Sequence, residues 1–316
     1  GTYSSSSGLS LNATTGAITP STSTPGTYTV IYTTLAGGGC SAVSVFTTVT
    51  IVESPTAILT YNSNVPYCTS ITTAQAPTLS GTGNYTGGVY SSLPSGLTLD
   101  ATTGEVTPNT STPGTYTVTY TLPTTSPCAQ VTATATVTIT PLPTASITYS
   151  AASFCTNVTG SQAVTLNGTG SYTGGTYSSS SGLSLNATTG AITPSTSTPG
   201  TYTVIYTTLA GGGCSAVSVF TTVTIVESPT AILTYNSNVP YCTSITTAQA
   251  PTLSGTGNYT GGVYSSLPSG LTLDATTREV TPNTSTPGTY TVTYTLPTTS
   301  PCAQVTATAT VTIPLY

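Results

Sequence analysis

Apolar and polar residues alternate along several short stretches of the chain. In residues 115–121, Tyr116, Val118 and Tyr120 alternate with threonines, and the segment VTATATVTI at 131–139 alternates Val, Ala or Ile with Thr. Because successive side chains of a strand point to opposite faces, a period of two separates the apolar set from the threonine set. Both stretches therefore predict strands that bury one face and expose rows of threonine on the other.

Turn signals separate these strands at short intervals. The segment ATTG at 101–104 lies between LTLD and EVTP and predicts a hairpin loop in which Gly104 takes a positive φ. Pro113 and Gly114 predict the turn into the Tyr/Val strand. About seven short strands in roughly 87 residues, with a turn every 8–12 residues, are typical of a β-sandwich. We therefore predict an all-β chain.

The same stretches of sequence recur along the chain. The octapeptide STPGTYTV is repeated four times, and residues 1–139 recur as 175–313 with a single difference, Gly104 against Arg278. Two related types of unit, A and B, alternate at a period of about 87 residues. The predicted domains are the C-terminal part of a type A repeat at 1–52, a type B repeat at 55–140, a type A repeat at 143–226 and a type B repeat at 229–313. Because residue 1 falls within a repeat, we expect a segment of a longer protein.

Charged residues are nearly absent, which excludes several functions. They make up 2% of the chain, against about 25% in an average protein, and the net charge is −5. Arg278 is the only basic residue, so a phosphate backbone could not be neutralised and nucleic acid is not an expected partner. No apolar run approaches the ~20 residues of a spanning helix, so we expect no membrane insertion.

The segment LPSGLTLDATTGEVTPNTSTPGTYTVTYT at 93–121 resembles the Ig-like, cadherin-like modules of bacterial surface proteins. The full unit, with Tyr-Cys near its start and a cysteine before its last strand, is similar to the tandem repeats of giant Bacteroidota adhesins. Those adhesins include gliding adhesins and hook-like attachment fibres exported by the type IX secretion system. The resemblance implies tandem Ig-like β-sandwiches and an extracellular role in adhesion or fibre building. It implies no catalytic residue and no cofactor.

The cysteines recur with the repeats, and their spacing allows two sets of disulfides. The seven cysteines are Cys40, Cys68, Cys128, Cys155, Cys214, Cys242 and Cys302. Pairing within repeats gives Cys68–Cys128, Cys155–Cys214 and Cys242–Cys302, with Cys40 left unpaired. Pairing across repeat boundaries gives Cys40–Cys68, Cys128–Cys155 and Cys214–Cys242, with Cys302 left unpaired.

Pairing within repeats is the favoured of the two sets. A strand after Cys68 could run parallel to the last strand after Cys128, which would put both cysteines at the same end of neighbouring strands. Disulfides would place the protein outside the cytosol. Buried free thiols are the alternative. A zinc site is disfavoured because the chain has no histidine and no Cys-x-x-Cys pair, so we expect no metal.

Other candidate site residues favour structural roles. The chain has no His and no Lys, and its six carboxylates lie far apart in sequence, so we expect no active site. Asp100 and Asp274, which become Asn12 and Asn186 in type A repeats, are expected to bond their own turns rather than Ca²⁺. The tyrosines of the repeated motif around Gly-Gly at 83–90, 170–177 and 257–264 are expected to pack in or at the edge of the core. A sugar-stacking platform and an interface between chains are the alternatives.

The sequence thus predicts a structural repeat segment of a long extracellular adhesin or attachment fibre that projects a contact surface from a bacterial cell. The alternative is that the repeats themselves bind surface glycans or another cell. Low charge and exposed threonine rows leave sheet edges unguarded, so several copies of the chain are expected to run side by side as a homo-oligomeric fibre.

Overall fold

The chain folds as two compact units built from strands and short 3-10 turns. The computed structural model describes residues 1–62, 65–124 and 127–315. The first unit comprises residues 1–142 together with 211–215, and the second comprises 143–210 together with 216–316. The prediction of an all-β chain is confirmed.

Nine strands of the first unit form three sheets. They are β1 (Thr2–Ser5), β2 (Gly26–Thr33), β3 (Ser44–Ile51), β4 (Ile58–Thr60), β5 (Tyr67–Cys68), β6 (Thr78–Ser80), β7 (Val89–Leu93), β8 (Gly114–Leu122) and β9 (Val131–Thr140). The sheet orders are β1-β2-β3, β4-β6 and β5-β9-β8-β7. All neighbours are antiparallel except β5, which runs parallel to β9.

In the described part of the second unit, eleven strands form four sheets. They are β10 (Thr144–Tyr149), β11 (Ser153–Cys155), β12 (Val164–Thr169), β13 (Thr176–Ser179), β14 (Gly200–Thr207), β15 (Ser218–Val226), β16 (Ile232–Thr234), β17 (Thr252–Ser254), β18 (Val263–Leu267), β19 (Gly288–Leu296) and β20 (Val305–Ile313). The sheet orders are β10-β12, β11-β15-β14-β13, β16-β17 and β18-β19-β20. Strand β11 runs parallel to β15.

Alternating side chains of the strands build the cores. On β8, Tyr116, Val118 and Tyr120 are at most 3% exposed, and on β9 Val137 and Ile139 are equally buried, as the period-two pattern predicts. Three clusters of buried apolar side chains lie within residues 57–139, 145–225 and 231–313. Each cluster falls inside one of the three complete repeats that the sequence suggests. The four repeat bounds themselves stay a prediction.

The recurring segment STPGTYTV forms a hydrogen-bonded corner at the start of a central strand. In the copy at 111–118, the hydroxyl of Ser111 donates to Thr107 O at 2.8 Å and accepts from Thr98 N at 2.9 Å. The hydroxyl of Tyr116 donates to Thr112 O at 2.6 Å, and the other three copies make the same bond. The segment recurs because each sandwich needs this corner once.

Candidate functional site

The bonded cysteines form the site with the most distinctive geometry, and one of them, Cys155, lies at the end of a strand. In the second unit, β11 pairs in parallel with β15, and Cys155 lies opposite Val226, the last residue of β15. Phe154, 7% exposed, anchors β11 in the core. The Thr156 hydroxyl accepts from Ser228 N at 2.8 Å, which fixes the chain where the next repeat begins. Cys155 therefore lies beside the carboxyl end of β15.

The bonding partner of Cys155 lies in the last hairpin of the following repeat. Cys302 sits in the loop between β19 and β20, where its N–H donates to Thr299 O at 2.7 Å. The two cysteines form a disulfide with their Cα atoms 5.1 Å apart. The sulfur of Cys302 also lies 3.7 Å from the carbonyl oxygen of Glu227, at the boundary between the two repeats. The disulfide therefore joins consecutive repeats rather than the two ends of one repeat.

The first unit contains the same arrangement one repeat earlier. Cys68 ends β5, opposite Thr140 of β9, and bonds to Cys214 with a Cα–Cα distance of 4.8 Å. The hydroxyl of Thr140 donates to the carbonyl oxygen of Gly212. A Cβ atom on Gly213 would lie 2.0 Å from the carbonyl oxygen of Pro66, so glycine is required for this close approach.

The predicted pairing within repeats is wrong. Cys68 lies at the carboxyl end of β9, whereas Cys128 precedes its first residue, Val131. A strand of 10 residues separates them, which at about 3.3 Å per residue is roughly 30 Å, far beyond the ~7 Å limit for a disulfide. The prediction assumed that the parallel strand follows Cys68, but Tyr67–Cys68 ends at that cysteine.

The remaining cysteines correct the other expectations. Cys128 and Cys242 carry free thiols instead of disulfides, and Cys40 is free as the favoured set expected. The pairs Cys40–Cys68, Cys128–Cys155 and Cys214–Cys242 of the alternative set are also wrong, and Cys302 is bonded rather than left over.

A simple rule unites the two disulfides. Each strand-end cysteine bonds to a hairpin cysteine 146 or 147 positions later, in the next repeat. Cys40 and Cys128, which carry free thiols, lie in hairpin loops, and Cys242 is the sequence equivalent of Cys68 but does not lie at the end of a strand. Hydrogen bonds from the Ser244 hydroxyl, 3.0 Å away, and from its backbone hold the pKa of the Cys242 thiol below its usual value. The constant spacing of 146 or 147 positions is visible in the sequence and is the signal from which this pairing could be predicted.

The turn residues bond their own loops, as predicted. Asp100 Oδ1 accepts from Thr102 N at 2.7 Å and from Thr103 N at 2.9 Å, and Asp274 does the same for its loop. The pKa of Asp100 is lowered mainly by the hydrogen bond from the Thr103 N–H and next by the one from the Thr102 N–H. Asn12 and Asn186 accept the equivalent bonds in the type A repeats. No group of three or more His, Cys, Asp or Glu residues that could hold a metal ion occurs among the described residues.

The glycine at the end of this loop has the positive φ that the sequence predicts. Gly104 has φ +76°, and Arg278 at the same place in the later copy has φ +66°. Tyr61, which follows β4, and Tyr149, which ends β10, hold these loops: the hydroxyl of Tyr61 donates to Gly104 O at 2.5 Å and that of Tyr149 to Gly190 O at 2.7 Å. Burial raises the pKa of Tyr149 to about 12.

One tyrosine of each motif around Gly-Gly packs inside the sandwich, as expected, whereas Tyr85, Tyr172 and Tyr259 of the same motifs are partly exposed. Tyr90, Tyr177 and Tyr264 are at most 8% exposed, and each ring lies 4.6 to 4.9 Å from a tyrosine ring of the neighbouring strand. The hydroxyl of Tyr120 donates to Tyr85 O and accepts from Gly88 N. The rings of Tyr90, Tyr177 and Tyr264 close the core, so these three are not available to stack on a sugar.

The described residues include no helix long and apolar enough to cross a membrane. Neither a family model nor a curated protein sequence matches the chain.

Several solved structures of tandem domains are similar to the chain, with low sequence identity and low TM-scores. Four cadherin domains of Drosophila N-cadherin match 99% of this chain and 92% of their own with 11% identity and a TM-score of 0.34. Three immunoglobulin domains of titin match 83% of this chain and 100% of their own with 11% identity and a TM-score of 0.47. Four cadherin domains of protocadherin gamma B7 match 99% and 91% with 11% identity and a TM-score of 0.40. Likeness at these scores supports no conclusion about function.

Proposed function

We propose that the chain is a structural segment of a long extracellular adhesin or attachment fibre on a bacterial cell surface, with repeats at 1–52, 55–140, 143–226 and 229–313. The observation that supports this proposal most is the pair of disulfides that join consecutive repeats. Disulfides persist outside the cytosol, which supports an extracellular location. The role is mechanical: the repeats hold a contact surface away from the cell, and no step of chemistry is assigned to them.

The two disulfides overlap along the chain, which gives them a mechanical consequence. Cys155 lies between Cys68 and Cys214, and Cys214 lies between Cys155 and Cys302. Under tension, the shortest covalent path therefore crosses from Cys68 to Cys214, runs back to Cys155 and crosses to Cys302. Residues outside this path are shielded from full extension even if their sandwich unfolds. Such overlap is useful in a protein that bears load.

Force spectroscopy on the full chain, held at both ends, tests this role. With disulfides intact, we expect the fully stretched length to be less than half of the length reached in reductant, at about 3.5 Å per residue on the path. The variant Cys155→Ser, which keeps only the first disulfide, should give an intermediate length, and Cys40→Ser should match the wild type. Equal lengths in oxidant and reductant would show that the disulfides bear no load, and the proposal would fail.

Side-by-side association of several chains is part of the proposed fibre. The net charge of −5 over 316 residues provides little repulsion between copies. On β8, Thr115 and Thr117 are exposed, so hydroxyl rows rather than charges cover the outer face. Contacts that recur in each repeat would add up through effective concentration. Light scattering on the chain at micromolar concentration should give a mass of several chains, and a mass of one chain without filaments by microscopy would remove association from the proposal.

A further inference from the structure

The two types of repeat carry different apolar side chains on the outer face of the same sheet. In the type A repeat, Ile205 of β14 lies opposite Phe220 of β15, and the two side chains are 37% and 75% exposed. Tyr206, next to Ile205, is buried, so the pair points away from the core. In the type B repeat the same two positions are Thr119 and Thr134, which also lie opposite each other. We call the Ile205–Phe220 pair the type A ridge.

Type B repeats carry their exposed apolar side chains on the edge strand instead. On β7, Val89 and Leu93 are 58% and 75% exposed, and Ser91 lies between them on the same face. Strand β7 is paired with β8 alone, so it forms one edge of its sheet. The equivalents of Val89 and Leu93 in the type A repeat are Thr176 and Ser180, which are polar. We call Val89, Ser91 and Leu93 the type B notch.

The exposure of these side chains does not depend on which residues flank a repeat. The two type B repeats have different neighbours in the chain, yet Val263 and Leu267 are 63% and 74% exposed, close to the values of Val89 and Leu93. The second unit contains both a ridge and a notch, and Phe220 and Leu267 both stay exposed in it. Within this unit the chain therefore does not cover its ridge with its own notch.

The ridge and the notch occupy complementary positions along their strands. Ile205 and Phe220 lie in one cross-strand row with Ser178, and Ser91 is the equivalent of Ser178 in the type B repeat. Val89 and Leu93 lie in the rows on either side of Ser91, each about 6.6 Å away at about 3.3 Å per residue. A ridge laid on a notch therefore places the Phe220 ring over a small serine, between two apolar side chains. Two ridges laid together would instead oppose two protruding rings.

The absence of charge on this face indicates the kind of partner that fits it. No charged residue of the chain lies in β7–β9, β13–β15 or β18–β20. About 25% of the residues of an average protein are charged, and a charge buried against this face would have no counter-charge to pair with. A second copy of the chain, with 2% charged residues, presents the same uncharged face and avoids this cost.

We propose that the type A ridge packs into the type B notch of a second copy of this chain. Each type A repeat then lies beside a type B repeat of the neighbouring chain, and the contact recurs along both chains. Recurrence adds the weak contacts together, because each one formed raises the effective concentration for the next. The inference rests on the side-by-side association in the proposed function and names the residues that make it.

The test exchanges residues between the two repeat types, so each substitution places a residue that the equivalent strand already holds. The ridge variant of the full chain carries Ile31→Thr, Phe46→Thr, Ile205→Thr and Phe220→Thr. The notch variant carries Val89→Thr, Leu93→Ser, Val263→Thr and Leu267→Ser. The control variant carries Ile58→Ser and Ile232→Ser, which replace two isoleucines, each 62% exposed on a different sheet, by the type A residue. Equal urea midpoints would show that all variants fold.

Light scattering at micromolar concentration measures association. We expect a mass of several chains for the wild type and the control variant, and at least ten-fold weaker association for the ridge and notch variants alone. An equimolar mixture of the ridge and notch variants should associate again, because one supplies notches and the other supplies ridges. A contact between two ridges would leave the notch variant associated, and a contact between two notches would leave the ridge variant associated.

Three results would overturn the ridge-and-notch contact while leaving side-by-side association in place. They are wild-type association of either variant alone, a mixture that stays at the mass of one chain, and a control variant that also dissociates. A wild type with the mass of one chain would overturn both the contact and the association. The mechanical role of the disulfides would still be decided separately, by the force measurement.

Discussion

Residues 1–52 and 175–226 are one sequence in two surroundings. Both form the same three-stranded arrangement with the same register: Tyr28 lies opposite Val49 in the first copy and Tyr202 opposite Val223 in the second. The first copy keeps its strands but not its full burial, because Tyr206 is 1% exposed and its equivalent Tyr32 is half-buried. Local pattern and turn chemistry thus suffice for the strands, whereas residues 145–166 complete the core around the second copy.

The hairpin tips of the two copies differ as much as their cores. Cys40 is exposed and unbonded, and a Cβ atom on Gly39 would meet no atom within 4 Å. Its equivalent Cys214 is bonded to Cys68, and Gly213 lies against the backbone of Pro66. An identical loop is therefore free in one copy and structural in the other, which makes the pair a set of matched controls.

Removing the disulfide at the second tip should have the largest effect. Cys68→Ser opens a loop of 146 positions, which in the chain-entropy model is worth up to about 5 kcal/mol, with about 2–4 kcal/mol typical. We expect a lower urea midpoint and one additional reactive thiol beyond the three free cysteines of the wild type. Cys40→Ser is the control and should change the free energy of unfolding by less than about 0.5 kcal/mol. Equal midpoints for the two variants would contradict the structure.

The sequence predicts the strands but not the Cys68–Cys214 disulfide that Cys68→Ser removes. The alternation of Tyr116, Val118 and Tyr120 fixes which face is buried, because burial follows the pleat. The positive φ of Gly104 follows from its place in a short loop. The position of Cys68 depends on which end of a parallel partner it meets, and a two-residue strand carries no period from which this could be predicted.

Alanine variants of the hairpin-tip glycines should separate the stability cost of backbone conformation from the cost of a steric contact. Gly39 and Gly213 have φ of +89° and +78°, so alanine at either place costs about 1 kcal/mol from the left-handed backbone. At Gly213 the added Cβ also meets Pro66 O at 2.0 Å, and we expect about 2–3 kcal/mol in all. Gly213→Ala should also raise the fraction of chains in which Cys68 and Cys214 remain reduced, measured by thiol titration. Equal losses of stability in both variants would show that the contact with Pro66 does not affect stability.

The single difference between the two type B repeats offers a smaller test. Arg278 has φ +66° where the earlier copy has Gly104. Arg278→Gly should stabilise the last repeat by about 1 kcal/mol, and Gly104→Arg should destabilise its own repeat by at least as much, because a Cβ atom there lies 2.7 Å from Tyr90 Cε1. Thermal unfolding measures both changes. A melting temperature that falls with Arg278→Gly would show that the arginine makes a stabilising contact that outweighs its backbone strain.

The loop carboxylates should give the smallest effect, and it should depend on pH. Asp100 and Asp274 have pKa values below their ordinary 3.8, first because of the backbone N–H groups of Thr103 and Thr277, so folding favours their charged forms. Their contribution to stability is therefore present above the unfolded pKa and is lost as the pH falls through the folded pKa.

Type A repeats carry Asn12 and Asn186 at these positions, and an amide does not titrate there. Replacing both aspartates by asparagine should therefore flatten the fall in urea midpoint between about pH 5 and pH 2 and lower the midpoint at pH 7 slightly, because the contribution of the charged forms is lost. The reverse double variant, with both asparagines replaced by aspartate, should steepen that fall. If all three proteins lose stability in parallel on acidification, these loops do not couple folding to protons, and the acid sensitivity of the chain belongs to its other carboxylates.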